Sequence, residues 1–193
     1  MGSLVVLDLS DASVQLSYVM HDPTRSATLA SVVGTFAPGD EITFGISGAI
    51  GHVVSWSSPT LTFYLKSAKE VQVHGIAELL LPWAGETITT GANSALVSAL
   101  ADIGDTFEND GKTIVQASSE ASGDVWLIVE GTGLCRWGLT RSSFLKVGTG
   151  GILTSQTLER ERFNANGAAR LTYVGSTTPE QLIVAAFRAV PRG

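Results

Sequence analysis

Short apolar segments alternate with turn-forming residues at roughly even spacing along the whole chain. This pattern is typical of all-β sandwiches and barrels, in which short strands are joined by turns. Within residues 61–66 the odd positions are apolar, whereas Thr62 and Lys66 face the opposite way, as expected of a half-buried strand. Residues 125–129 have no polar face, which predicts a central strand that is buried on both sides. The fold class predicted is therefore all-β, with one or two antiparallel sandwich or jelly-roll-like modules.

The predicted strands are bounded by Gly, Pro, Asn, Asp and Ser residues that favour turns. They are Leu4–Leu9, Val14–Met20, Ala27–Phe36, Glu41–Ile46, His52–Trp56, Leu61–Lys66, Val71–Leu81, Thr113–Ser118, Val125–Glu130, Leu134–Leu139, Phe144–Val147, Leu153–Leu158, Ala169–Val174 and Leu182–Val190.

One short helix is predicted over residues 93–102. Asn93 is a suitable N-cap, and Leu96, Val97 and Leu100 would share one helical face. This segment follows a break at residues 82–86, which contain Pro, Trp and Gly. The break suggests two β modules, residues 1–84 and 85–193, and the alternative is a single sandwich with a connecting helix.

Composition adds that the chain is globular but has little charge with which to cover its surface. Apolar residues make up 44% and charged residues 16% of the sequence, against about 25% charged in typical soluble domains. Two interpretations remain open: part of the surface is buried against partners, or this is a well-packed β protein rich in Gly and Thr. The net charge is −6 and no Lys/Arg cluster occurs, so nucleic-acid binding is not predicted.

No membrane association or disulfide is predicted either. No apolar run approaches the length of a membrane span, and no signal peptide is visible at the start of the sequence. Cys135 is the single cysteine, so an internal disulfide is excluded.

Candidate catalytic and metal-binding residues do not form a recognisable pattern. The three histidines, His21, His52 and His74, have no partners at the spacing of a zinc site. The sequence also lacks the Gly-x-Ser-x-Gly element of a nucleophile elbow. We therefore expect no enzyme activity, no metal and no cofactor.

Aromatic and apolar residues provide the candidate contact sites. Trp126 and Trp137 fall within apolar strands and are expected in the core, whereas Trp56 and Trp83 lie beside turns and are candidates for an exposed interface anchor. Residues 182–190 are too continuously apolar for an exposed edge strand. They must be covered by their own sandwich or by a neighbouring chain, which makes Phe187 a further candidate interface residue.

A single segment carries a resemblance to a known family. Residues 104–113, Gly-Asp-Thr-Phe-Glu-Asn-Asp-Gly-Lys-Thr, place an Asn109-Asp110-Gly111 turn between a Gly-Asp-Thr-Phe sequence and an apolar strand. This segment resembles the small β-sandwich decoration (cement) proteins of tailed-phage heads. In the turn itself, Gly111 is expected at positive φ, because glycine adopts that conformation without a Cβ clash.

The resemblance implies a function that the residue pattern alone does not give. It implies a virion protein on the outside of the phage head, which binds a major capsid protein across neighbouring subunits as a homo-oligomer, most simply a trimer. The alternatives are a tail, baseplate or receptor-binding β domain of a virion, or a carbohydrate-binding β-sandwich.

Overall fold

The computed structural model describes residues 14–19, 24–73, 75–102, 105–109, 111, 113–132, 142–156, 158–164, 168–175 and 182–189. Several predictions fall outside these residues. They concern the strands at 4–9 and 134–139, Trp137, His21, His74, Cys135 and Asp110.

The described chain is all-β, which confirms the predicted fold class. The strands are β1 (Val14–Val19), β2 (Thr24–Val33), β3 (Glu41–Phe44), β4 (Ile50–Ser57), β5 (Thr60–Ser67), β6 (Lys69–Val73), β7 (Ile76–Leu80), β8 (Thr87–Thr90), β9 (Asn93–Asp102), β10 (Asp105–Glu108), β11 (Thr113–Ser119), β12 (Val125–Val129), β13 (Ser143–Val147), β14 (Ile152–Thr154), β15 (Ala168–Val174) and β16 (Leu182–Ala189). A single helical turn, α1 (Arg160–Phe163), precedes β15. No helix among the described residues is long and apolar enough to cross a membrane.

The helix predicted at residues 93–102 is wrong, because this segment is the strand β9. β9 pairs along one edge with β2 and along the other with β8. Ala95 and Val97 are buried, whereas Leu96 between them is exposed, so the side chains follow the period of two of a strand. Backbone pairing on both sides outweighs the high helix propensity of the Ala and Leu residues.

Other strand boundaries also differ from the prediction. The single strand expected at Val71–Leu81 is the hairpin β6–β7, which turns at Gly75 with φ 78°. The strands β8 and β10 were not predicted at all. Both are only four residues long, and this leaves little periodicity for a sequence pattern to show.

Contacts divide the chain into two compact units. One unit contains residues 1–22, 104–172 and 178–193, and the other contains residues 23–103 and 173–177. Residues 23–103 of the second unit therefore lie in sequence within the first, between β1 and β10. The boundary expected at residues 84 and 85 falls within the second unit, because β8 and β9 pair with β3 and β2 from before that point.

The first unit has the strand order of a jelly roll. One sheet has the order β1-β16-β11-β14 and the other β10-β15-β12-β13. Going along the chain, consecutive strands of this unit alternate between the sheets, except for β12 and β13, which are neighbours in one sheet. An eight-stranded double sheet of this connectivity is the jelly roll that occurs in viral capsid and lectin domains.

Both sheets of the jelly-roll unit contribute buried apolar side chains. On β11 the side chains of Val115 and Ala117 are buried, and those between them are half-buried. All five side chains of β12, Val125 to Val129, are buried. This confirms the prediction that the strand without a polar face is covered on both sides, and it places Trp126 in the core as expected.

The second unit is a closed barrel with the strand order β2-β5-β4-β3-β8-β9. The strands β3, β4 and β5 are consecutive antiparallel neighbours, and β8 returns to lie beside β3 in a Greek-key arrangement. The barrel interior is filled by large apolar side chains that are at most 1% exposed. They include Ile42, Phe44, Leu61, Phe63, Leu65 and Ile88.

The turn between β10 and β11 has the geometry that its sequence suggested. Gly111 has φ 87°, and its N–H donates to Oδ1 of Asn109 over 3.1 Å. The Asn109 side chain is buried and its Nδ2 donates to Oδ1 of Asn164, the residue that follows α1, over 2.8 Å. The Asn164 amide in turn donates to the Asn109 carbonyl. The turn is thus fixed to a distant segment of the same unit as well as by its own residues.

Gly111→Val should destabilise the protein, because a β-branched residue is strained at positive φ. Left-handed backbone costs an L-residue about 1–2 kcal/mol, and the added Cβ would lie in van der Waals contact with Cβ of Arg160, 3.6 Å away. The measurement is the free energy of unfolding in urea. Gly123→Val is the matched control, since Gly123 has nothing within 4 Å of an added Cβ. Equal stability of the two variants would contradict the strain.

Candidate interaction surface

The candidate interface residues named from the sequence lie in three different environments. Trp83 is 41% exposed. Trp56 is half-buried, and its ring packs edge-on against the core residue Phe36 with 5.8 Å between the ring centroids. Only Trp83 of the two therefore presents its side chain to solvent as an anchor would.

Phe187 is covered within the chain and does not present an exposed contact. Its strand, β16, is paired along both edges, with Phe187 opposite Leu16 of β1 and Ile114 of β11. The Phe187 side chain is only 7% exposed. Residues 182–190 were expected to be covered either by their own sandwich or by a neighbouring chain. For the residues that the structure describes, the covering strands belong to the same chain.

A buried carboxylate, Glu86, organises one end of the barrel. Its side chain is fully buried, yet it accepts four hydrogen bonds. Oε2 accepts from the backbone N–H of Ile46 (3.0 Å), and from the backbone N–H (2.8 Å) and Oγ (3.0 Å) of Ser47. Oε1 accepts from the backbone N–H of Trp83 over 3.0 Å. Hydrogen bonds of this kind offset the cost of removing a carboxylate from water.

The Glu86 carboxylate therefore joins two segments that carry exposed apolar side chains. Ile46 lies in the loop after β3 and is 63% exposed, and Trp83 lies in the segment before β8. The backbone of Glu86 is itself fixed to β9, because its carbonyl accepts from the N–H of Val97 over 2.8 Å. Two exposed apolar residues are consequently attached to a rigid part of the barrel.

Next to this end, rows of paired Thr, Ser and apolar residues cross the outer surface of four neighbouring strands. Directly paired residues in a sheet point to the same face. One row across β3, β8, β9 and β2 consists of Thr43, Thr89, Ser94 and Val33, and a second row contains Thr87 and Leu96. We call these six residues the barrel face. Four of them are Thr or Ser, and the apolar Val33 and Leu96 are 59% and 38% exposed.

An exposed charged group borders the barrel face, because Glu41 lies two residues before Thr43 on the same outward side of β3. Glu41 accepts a 2.8 Å hydrogen bond from Nζ of Lys66, and Nε2 of His52 lies 3.4 Å from the same carboxylate. The hydrogen bond and charge of Lys66 lower the pKa of Glu41. His52 also stacks on Tyr64, with 5.4 Å between the ring centroids. This is a solvated ion-pair group, and pairs of that kind contribute little to stability.

No group of three or more His, Cys, Asp or Glu side chains in the described part of the chain is arranged to hold a metal ion. His52, the one histidine that the structure describes, has the Glu41 carboxylate nearby and no second ligand of this type.

Sequence reasoning missed both Glu86 and the barrel face. One signal was present, since Thr87-Ile88-Thr89 alternates polar and apolar residues. Residues 94–97 show no such alternation, because Ala95, Leu96 and Val97 are all apolar. No signal in the sequence linked Glu86 to Ile46 and Ser47, because those partners are 39 and 40 residues away.

Comparison with known proteins identified no relative of this chain. No family model matches the chain, and neither a curated protein nor a solved structure does.

Proposed function

We propose that this chain is a virion structural protein that decorates and stabilises a capsid by binding across neighbouring capsid subunits. The observation that carries the proposal is the jelly-roll strand order of the first unit, an architecture that viral capsid domains use. The segment that resembles phage-head decoration proteins, residues 104–113, contributes β10, the Asn109–Gly111 turn and the first residue of β11 to that unit.

The proposed mechanism is geometric and requires no chemistry. A rigid β protein that contacts two capsid subunits at once adds buried surface to the boundary between them, and the boundary is then harder to open. Stable contacts of this type bury about 1,200–2,000 Å² in total. A low charge content supports such a role, because charged residues are depleted at the core of protein interfaces.

Co-sedimentation with capsid particles that lack the protein tests this proposal. We expect saturable binding at a fixed ratio to the major capsid protein, together with a higher temperature for capsid disruption. Serum albumin at the same concentration controls for trapping in the pellet. Absence of the protein from the capsid pellet at tens of micromolar would reject the proposal. Co-sedimentation with isolated tails instead would favour a tail or baseplate component.

A carbohydrate-binding function is the second candidate, and the exposed Trp83 favours it. Trp83 lies in the barrel unit, and an aromatic ring that is exposed can stack on a sugar. This candidate predicts retention of the protein on an immobilised glycan, release by free sugar, and loss of retention in Trp83→Ala. If wild type and Trp83→Ala both pass unretained, the candidate is rejected.

A further inference from the structure

We propose that the protein docks on the capsid through the open edge of its jelly-roll unit at β14, by pairing with an extended, uncharged segment of a capsid subunit. The inference rests on the proposed function for the identity of the partner. It adds the docking surface and the mode of recognition, which is the addition of a strand to a sheet edge.

The backbone of β14 has hydrogen-bonding groups that no strand uses. The carbonyl of Gly151 accepts from β11 over 3.2 Å, and the N–H of Ser155 donates to β11 over 2.7 Å. In an antiparallel pair such bonds involve every second residue. The N–H and C=O groups of Ile152 and Thr154 therefore point away from β11. Among the strands that the structure describes, none pairs with this side of β14.

The other three edges of the two sheets each carry a feature that discourages pairing with a further strand. β1 is bulged between Leu16 and Tyr18, β10 ends at the exposed Glu108, and β13 carries the exposed Lys146. Bulges and charged side chains are means by which natural sheets protect their edges. β14 has neither, and no charged residue occurs in the sequence between Lys146 and Glu159.

The side chains of β14 indicate what kind of strand fits beside it. Ile152 is 74% exposed, the highest value among the exposed large apolar residues of the described chain. Thr154 is also exposed and lies on the same face of the sheet. A charged side chain packed beside Ile152 would lose water without gaining an opposite charge, so an uncharged segment is favoured. A second copy of the chain is disfavoured, because two molecules of net charge −6 repel each other.

Ile152→Pro tests the backbone contact, because proline removes the N–H that points away from β11. Proline is tolerated on an edge strand in this orientation, and urea unfolding checks that the variant is folded. Ile152→Ala is the matched control, since it removes most of the same side chain and keeps the N–H. We expect Ile152→Pro to bind capsids about tenfold more weakly than Ile152→Ala in co-sedimentation. Equal binding of the two folded variants would overturn the inference.

Amide hydrogen exchange of residues 150–156 provides a test that needs no variant. We expect fast exchange at Ile152 and Thr154 in the free protein and slow exchange in the capsid-bound protein. Unchanged exchange on binding would overturn the inference. So would exchange that slows in the free protein as its concentration rises, which would assign the edge to a second copy. Wild-type protein that binds capsids with an unprotected edge rejects this inference alone, whereas failure to co-sediment rejects the proposed function and this inference with it.

Discussion

Phe187→Asp is expected to abolish cooperative folding of the protein. The substitution removes a large apolar side chain that is 7% exposed, on a strand paired along both edges. Truncating a buried Phe typically costs about 3–5 kcal/mol, and a carboxylate without partners adds a desolvation cost to that. Because domains are stable by only about 5–15 kcal/mol, the variant should be unfolded or insoluble. Circular dichroism and a urea titration measure this directly.

Ile152→Asp is the matched control for Phe187→Asp. Ile152 lies on β14, at the edge of the same sheet, and is 74% exposed, so an aspartate there stays in water. We expect a change within about 0.5 kcal/mol, as for most surface substitutions. If Phe187→Asp were instead a folded protein of lower oligomeric mass, Phe187 would belong to an intermolecular contact and its burial within the chain would be contradicted.

Glu86→Ala is expected to destabilise the barrel by about 3–5 kcal/mol, because one buried acceptor serves several donors. The loss comes from the donors left behind, since the N–H groups of Ile46, Ser47 and Trp83 and Oγ of Ser47 would all lack their acceptor. Each unsatisfied buried donor costs about 1–3 kcal/mol, and water entering the partly exposed end would reduce that total. Urea unfolding followed by tryptophan fluorescence measures the change.

Two further variants separate the lost hydrogen bonds from the lost charge. Glu86→Gln keeps one side-chain oxygen, which can still accept from Ile46 and Ser47, so we expect a smaller loss of about 1–2 kcal/mol from the single mismatch at Trp83. Glu120→Ala, at an exposed carboxylate, should have almost no effect. If Glu86→Ala were as stable as Glu120→Ala, the organising role of the carboxylate would be refuted.

The sequence by itself determined the features that depend on local chemistry. The all-β class follows from short apolar runs separated by turn residues. Burial of β12 on both faces follows from the continuous apolar run at residues 125–129, which has no polar side to offer to water. The left-handed conformation at Gly111 follows from the Asn-Asp-Gly turn, where glycine has no Cβ to clash.

Tertiary structure alone decided the features that depend on distant partners. Residues 93–102 are compatible with a short helix or a strand, and only pairing with β2 and β8 makes them β9. The division into a jelly roll interrupted by a barrel depends on β1 pairing with β16, from opposite ends of the sequence. Glu86 reads in the sequence as one acidic residue among many. It is buried because donors about 40 residues earlier in the chain meet its oxygens, and no local pattern encodes a contact of that sequence separation.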